Sequence, residues 1–353
     1  MQGTLITSID ELPPLLRASV SPEEAEYLET IQLQGLLPFR VTPHFASLAG
    51  TTQDDPIRRQ FFPDPREAWD DPFGLSDPLG EALYRTVPRL VHQYRDRALL
   101  LAGGICAGYC RYCFRRVWIA QSQEFISETE VSQVLGYLKN HAEIRELLIS
   151  GGDPLTGTDE KLAWLFRELR SLKPTLLLRL CTRTPITNPY RLTPELIGLL
   201  KASRPLRMVV HLNHPREMAE QTKKALADCL DAGIPIHVQT VLLRGVNDDA
   251  EILALLFREC LELGLSPYYL FQLDLAPGTA HFRVPLKQGL ALYQKLKTQI
   301  SGLGLPKYTV DLPGGGGKIS LHDSVIIGTQ DDPRGKVYVL CDHDGKRWTY
   351  PVE

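Results

Sequence analysis

The chain has no apolar run long enough to span a bilayer and no block of basic residues. Nor does it have a second pair of metal ligands to complete its one cysteine-rich stretch. The first absence leaves no transmembrane helix to expect. The second leaves no electrostatic footprint for nucleic acid, and 39 Lys and Arg against 42 Asp and Glu give a net charge of −3. The start, Met1-Gln2-Gly3-Thr4, has no basic stretch followed by an apolar one, so no secretory signal is expected and the cytoplasm is the default compartment. Seven cysteines, an odd number, then argue against a disulfide framework. A run of four glycines ends in Lys318, but no Ser or Thr follows, which excludes a Walker phosphate loop.

What is present is a cysteine loop. Cys106, Cys110 and Cys113 stand at Cys-x3-Cys-x2-Cys spacing, and the other four cysteines are scattered. An incomplete zinc site or a redox pair with a spare thiol are the bland readings. Zinc sites come mostly as two paired half-sites, and neither a second Cys-x2-Cys nor a His-x3-His is found here. An iron–sulfur cube with three thiolate ligands and one open iron suits the spacing better. The open iron points to chemistry on a bound molecule rather than to electron storage.

At 353 residues, 43% of them apolar, the chain can bury a large core. Residues 1–95 are polar, Pro-rich and Asp-rich, and are expected as a helical lead-in; Ser21-Pro22-Glu23-Glu24 looks like a helix start. From Arg97 onward short apolar runs alternate with helical segments. Strands are expected at 97–102, 146–150, 176–182, 206–212, 235–243 and 266–274, with one more at 308–312. Helix starts are expected at Ser127-Glu128-Thr129-Glu130, Thr193-Pro194-Glu195 and Asp248-Asp249-Ala250-Glu251, and further helices at about 215–232 and 285–301. Strands that alternate with helices imply βαβ units, hence an α/β fold with a parallel sheet curled into a barrel or partial barrel. The strands lack clean alternation, which suggests burial on both faces. The site is expected at the C-terminal strand ends. Residues 313–353 read as the glycine–lysine loop and a small β extension, with Asp344-Gly345 as a hairpin turn.

Two further stretches carry chemistry. Ser150-Gly151-Gly152-Asp153 follows the second expected strand; such a turn lets a ligand approach the backbone, and Asp153 could hold an ammonium. Asp311-Leu312-Pro313-Gly314-Gly315-Gly316-Gly317-Lys318 reads on its own as a flexible linker, or as a loop presenting a Schiff-base lysine.

The cysteine loop, with its flank Phe114-Arg115-Arg116, resembles the radical S-adenosylmethionine superfamily. Together with the glycine–lysine loop it resembles the lysine 2,3-aminomutase family. The resemblance runs from about Tyr94 to Lys318 and includes His211-Leu212-Asn213-His214-Pro215, Gln239-Thr240-Val241-Leu242-Leu243 and Pro267-Tyr268-Tyr269. It implies a partial (β/α)6 barrel over 96–312, between the lead-in and the extension. It also implies three cofactors: a [4Fe-4S] cluster on Cys106, Cys110 and Cys113, S-adenosylmethionine, and pyridoxal 5′-phosphate on Lys318. The stretch from Ser150 to Asp153, with His211 and Gln239, is implied around S-adenosylmethionine, and Tyr94, Arg97 and Arg116 around pyridoxal phosphate. Arg115 is implied to hold the substrate carboxylate, and Asp274 and Asp311 its ε-ammonium. The implied reaction moves the 2-amino group of L-lysine to C3.

The chain departs from the family at Gln93, where an Arg is usual, and in lacking the cysteines of a structural zinc. No zinc is therefore expected, nor the same interlocked oligomer, although an assembly of identical chains is. An electron donor such as flavodoxin or ferredoxin is the implied partner. Four alternatives stay open: an aminomutase serving translation elongation factor P, one acting on arginine, a radical enzyme without pyridoxal phosphate, and an iron–sulfur electron carrier.

Overall fold

The computed structural model describes residues 4–121 and 124–353. Residues 1–3, part of the stretch on which the absence of a secretory signal is read, lie outside that range. Among the described residues no helix is long and apolar enough to cross a membrane.

One ten-stranded sheet dominates, with its strands in chain order. They are β1 (Arg85–Val87), β2 (Leu90–Tyr94), β3 (Arg97–Gly103), β4 (Glu146–Gly151), β5 (Leu177–Thr182), β6 (Leu206–His211), β7 (Ile236–Val241), β8 (Ser266–Phe271), β9 (Lys307–Leu312) and β10 (Gly317–Ser320). From β3 to β9 every neighbouring pair is parallel. At one edge β1 and β2 run antiparallel, and at the other β10 does. The sheet therefore continues across residues 95 and 313, where the sequence suggests boundaries.

Helices connect the parallel strands and bury one face on the sheet. In Asp159–Leu172 the buried residues are Leu162, Leu165, Phe166 and Leu169, a stripe at helical spacing. The expected caps form at Ser21, Ser127 and Thr193. Ala250–Glu262 is capped by Asp249, not Asp248. The Asp248 carboxylate instead accepts from the Gly245 amide at 2.8 Å, closing the turn ahead of the helix. The segment expected as one helix over 215–232 divides into a short turn at Pro215–Glu217 and a helix at Glu220–Asp231.

Burial on both faces is found in β6, where Met208, Val209 and Val210 are all buried. In β5 and β7 fully buried residues alternate instead with half-buried ones. Leu178, Leu180 and Val238 pack in the main core. Their neighbours Arg179, Cys181, Gln239 and Val241 line a cavity, as do Tyr269 and Phe271 of β8. The second face of the sheet is thus the wall of a site.

The C-terminal extension is a separate three-stranded sheet of β11 (Ile326–Asp332), β12 (Gly335–Cys341) and β13 (Arg347–Pro351). Gly345 takes φ +79°, as the expected hairpin turn requires. Buried Tyr350 donates its hydroxyl to the Leu273 carbonyl at 2.7 Å and accepts from Gln272 Nε2 at 3.2 Å. The extension thereby braces the loop that carries Asp274.

Candidate active site

The cavity, of about 500 Å³, runs along the parallel strands, from Arg97 and Glu146 at the starts of β3 and β4 to the loops past the C-terminal strand ends, where the cysteines lie and where the site is expected. It is lined by Cys106, Cys110, Cys113, the stretch Ser150 to Asp153, His211, Gln239, Tyr94, Arg97, Arg115, Asp274, Asp311 and Lys318. Of the residues given a site role from the sequence, Arg116 alone is missing from this wall.

The cysteine loop follows β3 directly. Burial pushes the Cys106 thiol well above its usual range and the Cys113 thiol up to about 12. Such thiols ionise when a metal supplies the compensating charge. Cys106, Cys110 and Cys113 all face the cavity from this one loop, and three such thiols fit a cube in which each thiolate binds its own iron. Sequence reasoning missed Arg183, just past β5. Its Nη1 lies 2.8 Å from Cys110 Sγ, and its Nη2 donates to Gln60 and Glu217. The available signal was a cation at the active end of a parallel strand.

The glycines of Ser150-Gly151-Gly152-Asp153 answer to the chain itself. A Cβ on Gly151 would lie 2.3 Å from the Gly103 carbonyl oxygen, and one on Gly152 would lie 2.5 Å from that of Ile105. They let the end of β4 pack on the start of the cysteine loop. The Asp153 carboxylate accepts from the Thr182 hydroxyl and from the amides of Leu155, Arg183 and Thr184. It is spent on ordering the turn after β5, so an ammonium held here would meet backbone carbonyls and not this side chain.

Lys318 and Asp311 face each other directly across the β9–β10 hairpin. The linker reading of the glycine run is thereby corrected: Pro313 to Gly316 form a tight turn, with Gly314 and Gly315 at positive φ. Lys318 Nζ donates to Asp311 Oδ1 at 2.6 Å and lies 5.4 Å from the Phe271 ring centroid. Burial disfavours the Lys318 charge, but Asp311 outweighs it and raises the pKa above the usual lysine value. Asp274 lies three residues past the end of β8, not at its end. Burial, reinforced by the Asp311 charge, pushes its carboxyl well above the usual range.

Tyr94 accepts the Lys318 amide at 3.0 Å, and Arg97 stacks on the Tyr94 ring at 3.9 Å. Gln93 donates to the Gly315 carbonyl at 3.0 Å. A lysine, a ring and a guanidinium around one hairpin suit pyridoxal phosphate. Also in the lining, His211 has its pKa lowered to about 3 by burial and then by Arg183, so its ring is neutral and shares a 3.0 Å contact with the Tyr112 hydroxyl.

Arg115 is in the cavity, already paired with Glu81 at 2.5 Å, a carboxylate from the lead-in that the sequence did not flag. Arg116 turns the other way. It pairs with Glu67 and donates to the carbonyls of Arg111 and Gly278. Its expected place beside pyridoxal phosphate is corrected to a structural one. Glu67 also grips Arg111, inside the cysteine loop, at 2.6 and 2.7 Å. Burial opposes the Glu67 charge, but Arg111 and Arg116 hold its pKa below the usual value. Glu67→Ala strands two buried guanidiniums and is expected to cost roughly 3–5 kcal/mol in urea unfolding. The lowered pKa places this stabilisation above the unfolded glutamate range, and it is lost as pH falls through the folded value.

Residues 100–256 match the Radical SAM superfamily. A Treponema pallidum protein, provisionally named L-lysine 2,3-aminomutase, is 44% identical over 88% of this chain and 89% of its own. The L-lysine 2,3-aminomutase of Clostridium subterminale is 35% identical over 98% of this chain and 81% of its own. The glutamate 2,3-aminomutase of Clostridioides difficile is 33% identical over 93% and 76%.

Proposed function

The chain belongs to the L-lysine 2,3-aminomutase family of radical SAM enzymes, and on that footing we propose that it converts L-lysine to β-lysine. One observation carries the choice of substrate: Asp274 and Asp311 stand on the wall that holds Lys318, in a cavity shared with the three cluster cysteines. Bound here, the [4Fe-4S] cluster and S-adenosylmethionine would supply the radical chemistry, and pyridoxal phosphate would supply the carbonyl group that takes the amine.

The residues then divide the work. Cys106, Cys110 and Cys113 hold the cluster. The backbone at Ser150 to Gly152, with neutral His211 and Gln239, lines the S-adenosylmethionine side. Lys318 takes pyridoxal phosphate, with Tyr94 and Arg97 beside it. While Lys318 holds pyridoxal phosphate its charge would not occupy Asp311, which leaves that carboxylate open to an incoming ammonium. Asp311 and Asp274 are then available to the substrate's ε-ammonium, while Arg115 holds the carboxylate. Two anchored ends fix C3 in one place. A small reduced carrier of the flavodoxin or ferredoxin kind supplies the electron, and an assembly of identical chains belongs to the same proposal.

Asp274→Asn is expected to raise the KM for lysine by about 10- to 100-fold, the scale of a charge-assisted hydrogen bond, with a smaller change in kcat. Lysine binding is expected to tighten as pH rises through the raised Asp274 pKa, because the ammonium favours the ionised carboxylate. An unchanged KM contradicts the assignment. The function itself is tested anaerobically with lysine labelled with 15N at the 2-amino group. The label should appear on C3, and only when all three cofactors and a reductant are present.

A further inference from the structure

Glu81 reaches the cavity from a turn built to hold it. The Asp77 carboxylate accepts the amides of Glu81 and Ala82 at 2.9 and 2.8 Å. Gly80, at φ +62°, lies so close to the glycine loop that a Cβ on it would be 2.7 Å from the Gly315 nitrogen. Gly314 donates to the Pro78 carbonyl at 3.0 Å, and the Tyr84 hydroxyl donates to that of Gly315 at 2.8 Å. Glu81 is therefore fixed on a turn packed against the one that presents Lys318.

A guanidinium has five N–H donors in a planar fork. Glu81 takes the side edge of Arg115: Nε lies 3.1 and 3.0 Å from its two oxygens, and Nη2 lies 2.5 Å from Oε1. Nη1 donates to Ser150 Oγ at 3.3 Å, and the Arg115 plane lies against the Phe114 ring at 4.5 Å. One N–H on each terminal nitrogen is left. The N–H left on Nη2 belongs to the end-on edge, the edge that suits a second carboxylate.

We propose that Glu81 is a positioning residue. It clamps the side edge of Arg115 so that the end-on edge meets the α-carboxylate of the amino acid. This rests on the reading that Arg115 holds that carboxylate. It opposes a simpler role, in which Glu81 fills an empty Arg115 and leaves when substrate arrives. The two roles predict opposite signs. Removing a clamp weakens substrate binding, whereas removing a competitor strengthens it.

The test uses protein loaded with pyridoxal phosphate, without reductant, so that binding is read with no turnover. L-lysine and 1,5-diaminopentane, which is lysine without its carboxylate, are titrated against the cofactor absorbance. Glu81→Gln is expected to weaken lysine about tenfold, the scale of one charged hydrogen bond, and to leave 1,5-diaminopentane within about twofold. Under turnover, KM should move more than kcat. Unchanged or tighter lysine binding overturns the proposal, and so does an equal loss for both ligands. Should Glu81→Gln not fold, Glu81→Asp is expected to show the same selective loss at smaller size, and equal binding overturns the proposal there too. Arg115→Gln separates the two levels. A selective loss of lysine keeps the Arg115 reading whether or not Glu81 follows it, and no selective loss removes that reading and the proposal with it.

Discussion

Lys318→Ala lowers kcat/KM for lysine by roughly 10^4-fold or more, the scale seen when a covalent catalytic residue is removed. Lys318 combines reach with a fixed partner. It stands opposite Asp311 in the hairpin, and its own amide is tied to the Tyr94 hydroxyl. Removing it takes away the amine that engages pyridoxal phosphate and leaves Asp311 beside Asp274 with no cation between them. The fold should survive, because the glycine turn keeps its bonds to Pro78, Tyr84 and Gln93. The check is the visible absorbance of the reconstituted protein beside its activity. The wild type should show bound pyridoxal phosphate and the variant none. A variant that keeps both absorbance and turnover contradicts the role of Lys318.

Cys113→Ala brings radical formation to background. Cys113 lines the cavity with Cys106 and Cys110, and a cube left with two thiolates lacks the set that keeps a single iron open. Iron and sulfide content after anaerobic reconstitution should fall, and 5′-deoxyadenosine should no longer form on reduction. The hydrogen bond from the Cys113 amide to the Cys110 carbonyl belongs to the backbone, so the loop keeps its path. Full iron content with undiminished 5′-deoxyadenosine contradicts the ligand assignment.

The parts of this site that were legible in the sequence are those fixed by local rules. The cysteine spacing put three thiols on one loop after a strand. Capping residues at Ser21, Ser127 and Thr193 marked helix starts because a side-chain oxygen there meets an amide a few residues on. Asp311 and Lys318 were named separately, and the hairpin register then made them partners. What was hidden depends on contacts far apart in the chain. Glu81 and Arg115 meet across 34 positions and Arg183 and Cys110 across 73, and no local pattern marks either pair. Arg116 was misplaced because Arg115 ends a turn and Arg116 opens the helix Arg116–Gln121, and the two point to opposite sides. Arg115 faces the cavity, and Arg116 faces the lead-in through Glu67. Asp153 was misread because its four donors come from β5 and the turns around it, which a Gly-Gly-Asp string does not reveal.

The lead-in shows why composition alone undersold it. Polar and Pro-rich, it reads as a passive preface. Yet Glu67 enters a buried ion network inside the cysteine loop, and β2 extends the sheet beside β3. Long-range charge pairs of this kind need the fold before they can be seen.

The most direct test of the account is anaerobic competition among lysine, arginine, glutamate and alanine in one reaction with the fully reconstituted protein, followed by chiral analysis of every β-amino acid formed. The two carboxylates at Asp274 and Asp311 predict β-lysine as the main product and no β-glutamate. β-Glutamate as the main product, or no β-lysine at all, would contradict the central claim that this cavity selects a basic amino acid and moves its amine from C2 to C3.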